Sequence, residues 1–243
     1  MIFNSFTNEG RSTANPNFVE LALNWMRNPS QQFIGLLWAA YDDMCANPPP
    51  INSDDLERSI TQILEPRIHR AMTGDEPFYV QHGAYERETM KPPPAQPPAY
   101  DLAFVLRAEE RIMWPVEAKV METPNKTAEY VRDIKNEFLT CRYAPFTGSG
   151  AMLGYLLKGK AEDALKTISN VLNCTLDELP DHTDKPNRLS RHSRTVPLGK
   201  PYPNKFDCYH LIFCFPGLMR STKSCKSVID SQSDHQLLTN QSD

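Results

Sequence analysis

No stretch of this 243-residue chain approaches the roughly 18 consecutive apolar residues that a membrane-spanning helix requires. The opening residues, MIFNSFTNEGRSTANPNFVE, lack a basic segment followed by an apolar run, so no secretory signal is expected and the expected location is the cytoplasm. An excess of positive charge is also missing. The formal net charge is −4, which argues against coating nucleic acid by bulk charge and leaves room only for a local basic surface. The six cysteines, at 45, 141, 174, 208, 214 and 225, show no small-scaffold spacing and read as reduced thiols. No Walker-type phosphate loop is present, so ATP-driven work is not expected. The GSG at 148–150 lacks the Gly-x-Ser-x-Gly spacing of a nucleophile elbow, and its glycines read as shaping a turn. There is no internal repeat.

Apolar residues make up 40 % of the chain, enough for a substantial core. The 21 prolines cluster at 48–50 and 92–98 and punctuate it. Residues 1–16 are polar and expected to be loose. NFVELALNWMRN and SQQFIGLLWAAYDDMCAN carry helical stripes, with Ser30 as an N-cap for the second and NPPP ending it. These form an expected N-terminal helical appendage, residues 1–50. A further helix runs through NSDDLERSITQILEPRIHRAM with Leu56, Ile60, Ile63, Leu64 and Ile68 in phase, and Pro66 is expected to kink or break it. EPFYVQHGAYERETM reads as a strand and KPPPAQPPA as a loop. YDLAFVLRAEERIMWPVEAKVM reads as two strands joined by the polar turn RAEER. A helix (TPNKTAEYVRDIKNEFLT), a strand (GSGAMLGYLL), a helix (KAEDALKTISNVLN) and a strand (DCYHLIFCF) follow, with a polar stretch over 180–206. The expected fold is α/β, a mixed central sheet flanked by helices, over 51–216, and 217–243 is expected to be a disordered tail.

The informative stretch is MWPVEAKVM. Glu117 and Lys119 are two residues apart in an extended chain, so they point to the same face. Burying both would cost several kcal/mol per ion unless something compensates. Asp101 opens the preceding strand. If the two strands pair as a hairpin, Asp101 approaches Glu117 and Lys119. Two carboxylates at one spot repel each other, and a divalent cation removes the repulsion. Magnesium favours one or two carboxylates with further oxygen donors. The carbonyl of Ala118 could add a ligand, and Lys119 could orient water or stabilise charge on a phosphate. The competing reading is a solvated strand face with a cross-strand ion pair; the apolar neighbours Trp114, Val116 and Val120 favour a covered strand.

This arrangement, PAYD followed by VEAKV, resembles the PD-(D/E)XK nuclease superfamily, the restriction-endonuclease-like fold. The order helix, three strands, helix, strand over about residues 53–157 is similar as well. Tyr100 stands where that motif has its proline, with Pro98 two residues further back. The resemblance implies a magnesium-dependent deoxyribonuclease in which manganese can substitute. Asp101 and Glu117 would be metal ligands and Lys119 the catalytic lysine, with a role in bacterial anti-phage defence or restriction. Many members add an acid from the first core helix. Glu57 is the candidate, against a capping box formed with Asp54, and Glu65 is the second choice. RNA remains open as a substrate. The alternative function is a non-catalytic nuclease-fold subunit of a larger assembly.

Lys126, Arg132, Lys135 and Arg142 lie on and after the helix that would border the site and could contact phosphates; a solvated helix face with Glu129 and Asp133 is the competing reading. Arg188, Arg191 and Arg194, with Lys185 and Lys200, form a local basic excess for a nucleic-acid backbone, or else a polar loop. Trp25, Phe33 and Trp38 are candidate anchors for a homo-oligomer or a defence-system partner, unless they pack on the core. Cys208, His210 and Cys214 share a strand face, but a zinc site needs about four ligands and no fourth is apparent, so core cysteines are the expectation.

Overall fold

The structure, a computed structural model, describes residues 20, 22–24, 30–91 and 95–218. The expected disorder of 1–16, the anchor Trp25 and all of the tail beyond residue 218 lie outside the described residues. A π-helical turn, Ser30–Ile34, leads into α1 (Gly35–Ala46), which is followed by α2 (Leu56–Ala71). The strands β1 (Phe78–His82), β2 (Leu102–Leu106) and β3 (Met113–Met121) come next. Then come α3 (Ala128–Asp133), running on into a π-helical turn Ile134–Phe138, β4 (Ser149–Leu156) and α4 (Ala161–Leu172). The chain closes with a short 3-10 turn Pro180–His182, β5 (Asn187–Ser193) and β6 (Lys205–Cys214).

The six strands form one mixed sheet in the order β1-β2-β3-β4-β6-β5. β1, β2 and β3 are antiparallel neighbours; β3, β4 and β6 run parallel; β5 returns antiparallel to β6. β3 and β4 are buried at every position, as central strands covered on both faces must be. Alternation along β3 divides the core in two. Trp114, Val116, Ala118 and Val120 meet α1 and α2 through Leu37, Leu56, Ile60 and Leu64. Met113 and Met121 meet α3 and α4 through Tyr130, Ile134, Leu165 and Ile168 on the other face. Glu117 and Lys119 share the parity of this second set. The fold is therefore α/β with helices on both faces of a mixed sheet. No helix among the described residues is long and apolar enough to cross a membrane.

Several expectations change. The α1 segment is part of the main core rather than an appendage. Phe33, 2 % exposed, stacks on Phe104 at 4.5 Å, and Trp38, 3 % exposed, lies 4.8 Å from Phe213. Neither is an exposed anchor. Pro66 does not break α2, which continues to Ala71. The helix N-cap is Asp55, whose carboxylate accepts the Arg58 N–H at 3.3 Å, so Glu57 is not part of a capping box with Asp54. The polar stretch 180–206 contains an edge strand, β5. Its core-facing Asn187 and Ser190 are polar, which removes the apolar alternation that marks a strand.

Candidate active site

The site is built where β2 stops and β3 runs on. The β2–β3 ladder ends at Leu102↔Val116, with Asp101 next in line opposite Glu117. Beyond that point β3 keeps β4 on one side and, among the described residues, has no strand on the other. Backbone groups on an open edge need partners. Two carboxylates supply them. Asp101 Oδ2 accepts the Ala118 N–H at 2.7 Å, and Glu57 Oε2 accepts the Val120 N–H at 3.2 Å. Glu57 is delivered from the first turn of α2. The Thr61 hydroxyl fixes that turn by bonding the Glu57 carbonyl at 2.7 Å and the Tyr155 hydroxyl of β4 at 2.9 Å.

The Lys119 ammonium lies at the centre. Its Nζ is 2.6 Å from the Ala118 carbonyl oxygen, 2.9 Å from Glu117 Oε1 and 3.1 Å from Glu57 Oε1. Asp133 Oδ2 stands at 3.4 Å and Asp101 Oδ2 at 3.7 Å. Asp101, Glu117 and Lys119 are thus brought to one place, with Glu57. Four carboxylates share the Lys119 ammonium, and only Asp133 has a second cation, Arg132, so the fully ionised cluster carries two uncompensated negative charges. Glu117 is 7 % exposed, and its Oε2 is buried without a hydrogen-bond partner. Burial, and then the neighbouring Asp101 charge, push the Glu117 carboxyl well above its ordinary pKa despite the lysine beside it. Burial also raises Glu57, with Lys119 opposing. For Lys119 burial favours loss of the proton, but the charges of Glu117, Asp101 and Glu57 outweigh it and hold the ammonium above the ordinary lysine range.

Among the described residues, no group of three or more His, Cys, Asp or Glu side chains is arranged to hold a metal ion as it stands. The ammonium stands between the carboxylates. The donor chemistry nonetheless fits a hard divalent cation: all five contacts of Nζ are oxygens, and the orphaned Glu117 Oε2 lacks the partner a buried carboxylate needs. Asp101, Glu117 and the Ala118 carbonyl are the residues that would hold it.

Other candidates are placed elsewhere. Glu65 accepts the His82 N–H at 3.0 Å and is a structural bond between α2 and β1. Asp133, which the competing reading of this helix puts on a solvated face and which is not among the sequence candidates for the site, is buried there. The available signal was its position three residues after Tyr130 and one before Ile134, both core residues. Arg132 binds Asp133 Oδ1 at 3.0 Å, and Lys126 is exposed in the β3–α3 loop. Lys135 bonds the Val171 carbonyl at 3.2 Å, and Arg142 pairs with Glu137. Arg188 and Arg191 sit on β5, separated from β3 by β4 and β6, and pair with Glu162 and Asp177. Arg194 is buried, with its guanidinium donating to the carbonyls of Phe138, Tyr143, Ala144 and Thr147; it is spent on the fold, not offered to a phosphate.

The zinc reading also closes. Both His210 nitrogens are engaged, Nδ1 with the Tyr130 hydroxyl at 3.0 Å and Nε2 with the Ser190 hydroxyl at 2.7 Å, and Ser190 continues to His192 Nε2 at 2.6 Å. The Tyr130 hydroxyl also bonds the Met152 carbonyl at 3.1 Å. Every group is satisfied if Tyr130 donates to Met152, His210 Nδ1–H to Tyr130, Ser190 to His210 Nε2, and His192 Nε2–H to Ser190.

Comparison of the chain with protein families, with curated proteins and with solved structures finds no match.

Proposed function

We propose that this protein is a divalent-cation-dependent nuclease with a restriction-endonuclease-like core, hydrolysing DNA phosphodiester bonds. The observation that carries the reading is the convergence of Asp101, Glu117 and Glu57 on Lys119 and the Ala118 carbonyl at one open strand edge. The order of elements over α2 to β4 supports it: a helix, three antiparallel strands, a helix, and a strand parallel to the third.

Bound magnesium or manganese would supply Lewis-acid neutralisation of the phosphate. Asp101, Glu117 and the Ala118 carbonyl would hold and orient that ion. In hydrolysis a water oxygen bonds to phosphorus, the bond to the leaving sugar oxygen breaks, that oxygen takes up a proton from solvent, and the attacking water gives up a proton. Glu57, whose burial strengthens its hold on a proton, takes it. Lys119 stays an ammonium and donates hydrogen bonds to the phosphoryl oxygens as their charge grows; its raised pKa makes it a poor base and a good electrostatic partner. The proposal includes a cytoplasmic location and bacterial defence or restriction as the setting. The free thiols of Cys45, Cys141, Cys174, Cys208 and Cys214 agree with a reducing compartment.

One observation favours a second reading. The Lys119 ammonium already bonds the site oxygens, which is the state of a self-contained ion cluster in a non-catalytic subunit. Supercoiled plasmid and single-stranded RNA, each incubated with magnesium or manganese, separate the two. The nuclease reading expects wild type to nick or linearise the plasmid and Lys119→Ala to leave it intact. Cleavage of RNA alone changes the substrate but keeps the chemistry. Intact substrates with both proteins, together with co-purification of a partner, establish the non-catalytic subunit.

A further inference from the structure

We propose that a divalent cation and the Lys119 ammonium compete for the same oxygens, and that Asp133 is the positioning residue that receives the ammonium when the cation enters. This rests on the metal-dependent reading above and adds to it a residue and a movement. The two shortest contacts of Nζ are to the Ala118 carbonyl at 2.6 Å and Glu117 Oε1 at 2.9 Å, two of the three groups that would hold the ion. A magnesium ion bonds oxygen at about 2.0–2.1 Å, so it would take over those lone pairs and repel the ammonium from them. The third ligand, Asp101, would go with it.

Two carboxylates then remain for Lys119. Glu57 already holds Nζ through Oε1 at 3.1 Å, with its Oε2 taken by the Val120 N–H, so it has little contact left to gain. Asp133 is the other, and it approaches from α3, over the sheet face on which Lys119 lies. Its Oδ1 is fixed by Arg132 Nε at 3.0 Å, which leaves Oδ2 turned to Nζ at 3.4 Å. That separation is longer than a charge-assisted hydrogen bond of about 2.7–2.9 Å, so the contact has room to shorten as the ammonium moves. Asp133 is 9 % exposed, and a carboxylate so covered is held there by the cations beside it. Without Asp133 the displaced ammonium would lose its receiving partner, and the cation would have to enter against it.

Manganese binding to the metal-free protein, followed by calorimetry and by electron paramagnetic resonance of free manganese, tests this. Lys119→Met removes the competitor and is expected to tighten manganese binding about tenfold or more. Asp133→Asn is expected to weaken it about tenfold in the wild-type background and by under about threefold in the Lys119→Met background. Equal or weaker binding by Lys119→Met, or the same Asp133→Asn effect in both backgrounds, overturns the competition. Failure of wild type and all variants to bind manganese overturns the metal-dependent reading itself. Wild-type binding with plasmid cleavage, but no gain in Lys119→Met, leaves that reading standing and removes only this inference. Should Lys119→Met not fold, 15Nζ-lysine magnetic resonance on wild type reads the same movement. Magnesium is expected to shift one protected ammonium signal, and in Asp133→Asn that signal should broaden into exchange with water; a signal unmoved at saturating magnesium contradicts the proposal.

Discussion

Asp101 Oδ2 accepts the backbone N–H of Ala118 at 2.7 Å, across the point where β2 ends and β3 continues alone. One contact thus does two things. It satisfies a strand-edge donor, and it holds a carboxylate beside Glu117, Glu57 and Lys119.

The two roles separate by substitution. Asp101→Asn keeps an acceptor for Ala118 and removes one of four crowded negative charges. The metal-free protein is expected to be as stable as wild type or more stable by about 1 kcal/mol, the usual balance at a strained functional site. Asp101→Ala strands the Ala118 N–H and is expected to cost about 1–3 kcal/mol. Urea unfolding of the three proteins in chelator distinguishes the two effects.

Arg194 is expected to act on stability. Its guanidinium holds four carbonyls of a segment in which Cys141 and Ala144 take left-handed backbone, at φ 61° and 51°. Arg194→Ala leaves those carbonyls buried without donors and is expected to cost about 3–5 kcal/mol, against under about 0.5 kcal/mol for the exposed Lys126→Ala. Urea midpoints of the two variants check the contrast.

Phe33→Ala tests whether the chain before α1 is detachable. With its ring stacked on Phe104 and edge-on to Phe78 at 4.6 Å, the loss is expected to be about 3–5 kcal/mol in a single unfolding transition. Two transitions, or no loss, would restore an appendage.

His210 gives the pH dependence. Burial, with the neighbouring His192 adding to it, lowers its pKa from 6.5 to about 3 in the folded chain. The unfolded chain therefore binds a proton below 6.5 that the folded chain refuses until about 3, so stability is lost as pH falls through that window. The slope is about 1.4 kcal/mol for each pH unit. His210→Gln cannot titrate. The free-energy difference between wild type and this variant, from urea unfolding at pH 4 to 8, should be constant above about pH 7 and shrink in acid. A flat difference would mean that His210 is solvated.

The central trio was readable because a short polar turn between two strands fixes an antiparallel register, and that register puts position 101 opposite 117. Glu57 was half readable. Helix phase put it near the core stripe, but only the choice of Asp55 as cap released its carboxylate. Asp133 was hidden in a helix rich in charge, because its burial depends on how α3 lies over β3. Arg194 looked like surface charge, since the carbonyls that bind it come from a turn about fifty residues earlier. β5 was hidden for a related reason: Ser190 is a core residue only because His210 waits on the adjacent strand.

The most direct measurement is a calorimetric titration of the metal-free wild-type chain with manganese, beside the Asp101→Asn, Glu117→Gln double variant. One ion per chain, with the heat abolished in the double variant, is the expected result. No binding by wild type, or the same isotherm from both proteins, would contradict a cation site at this strand edge.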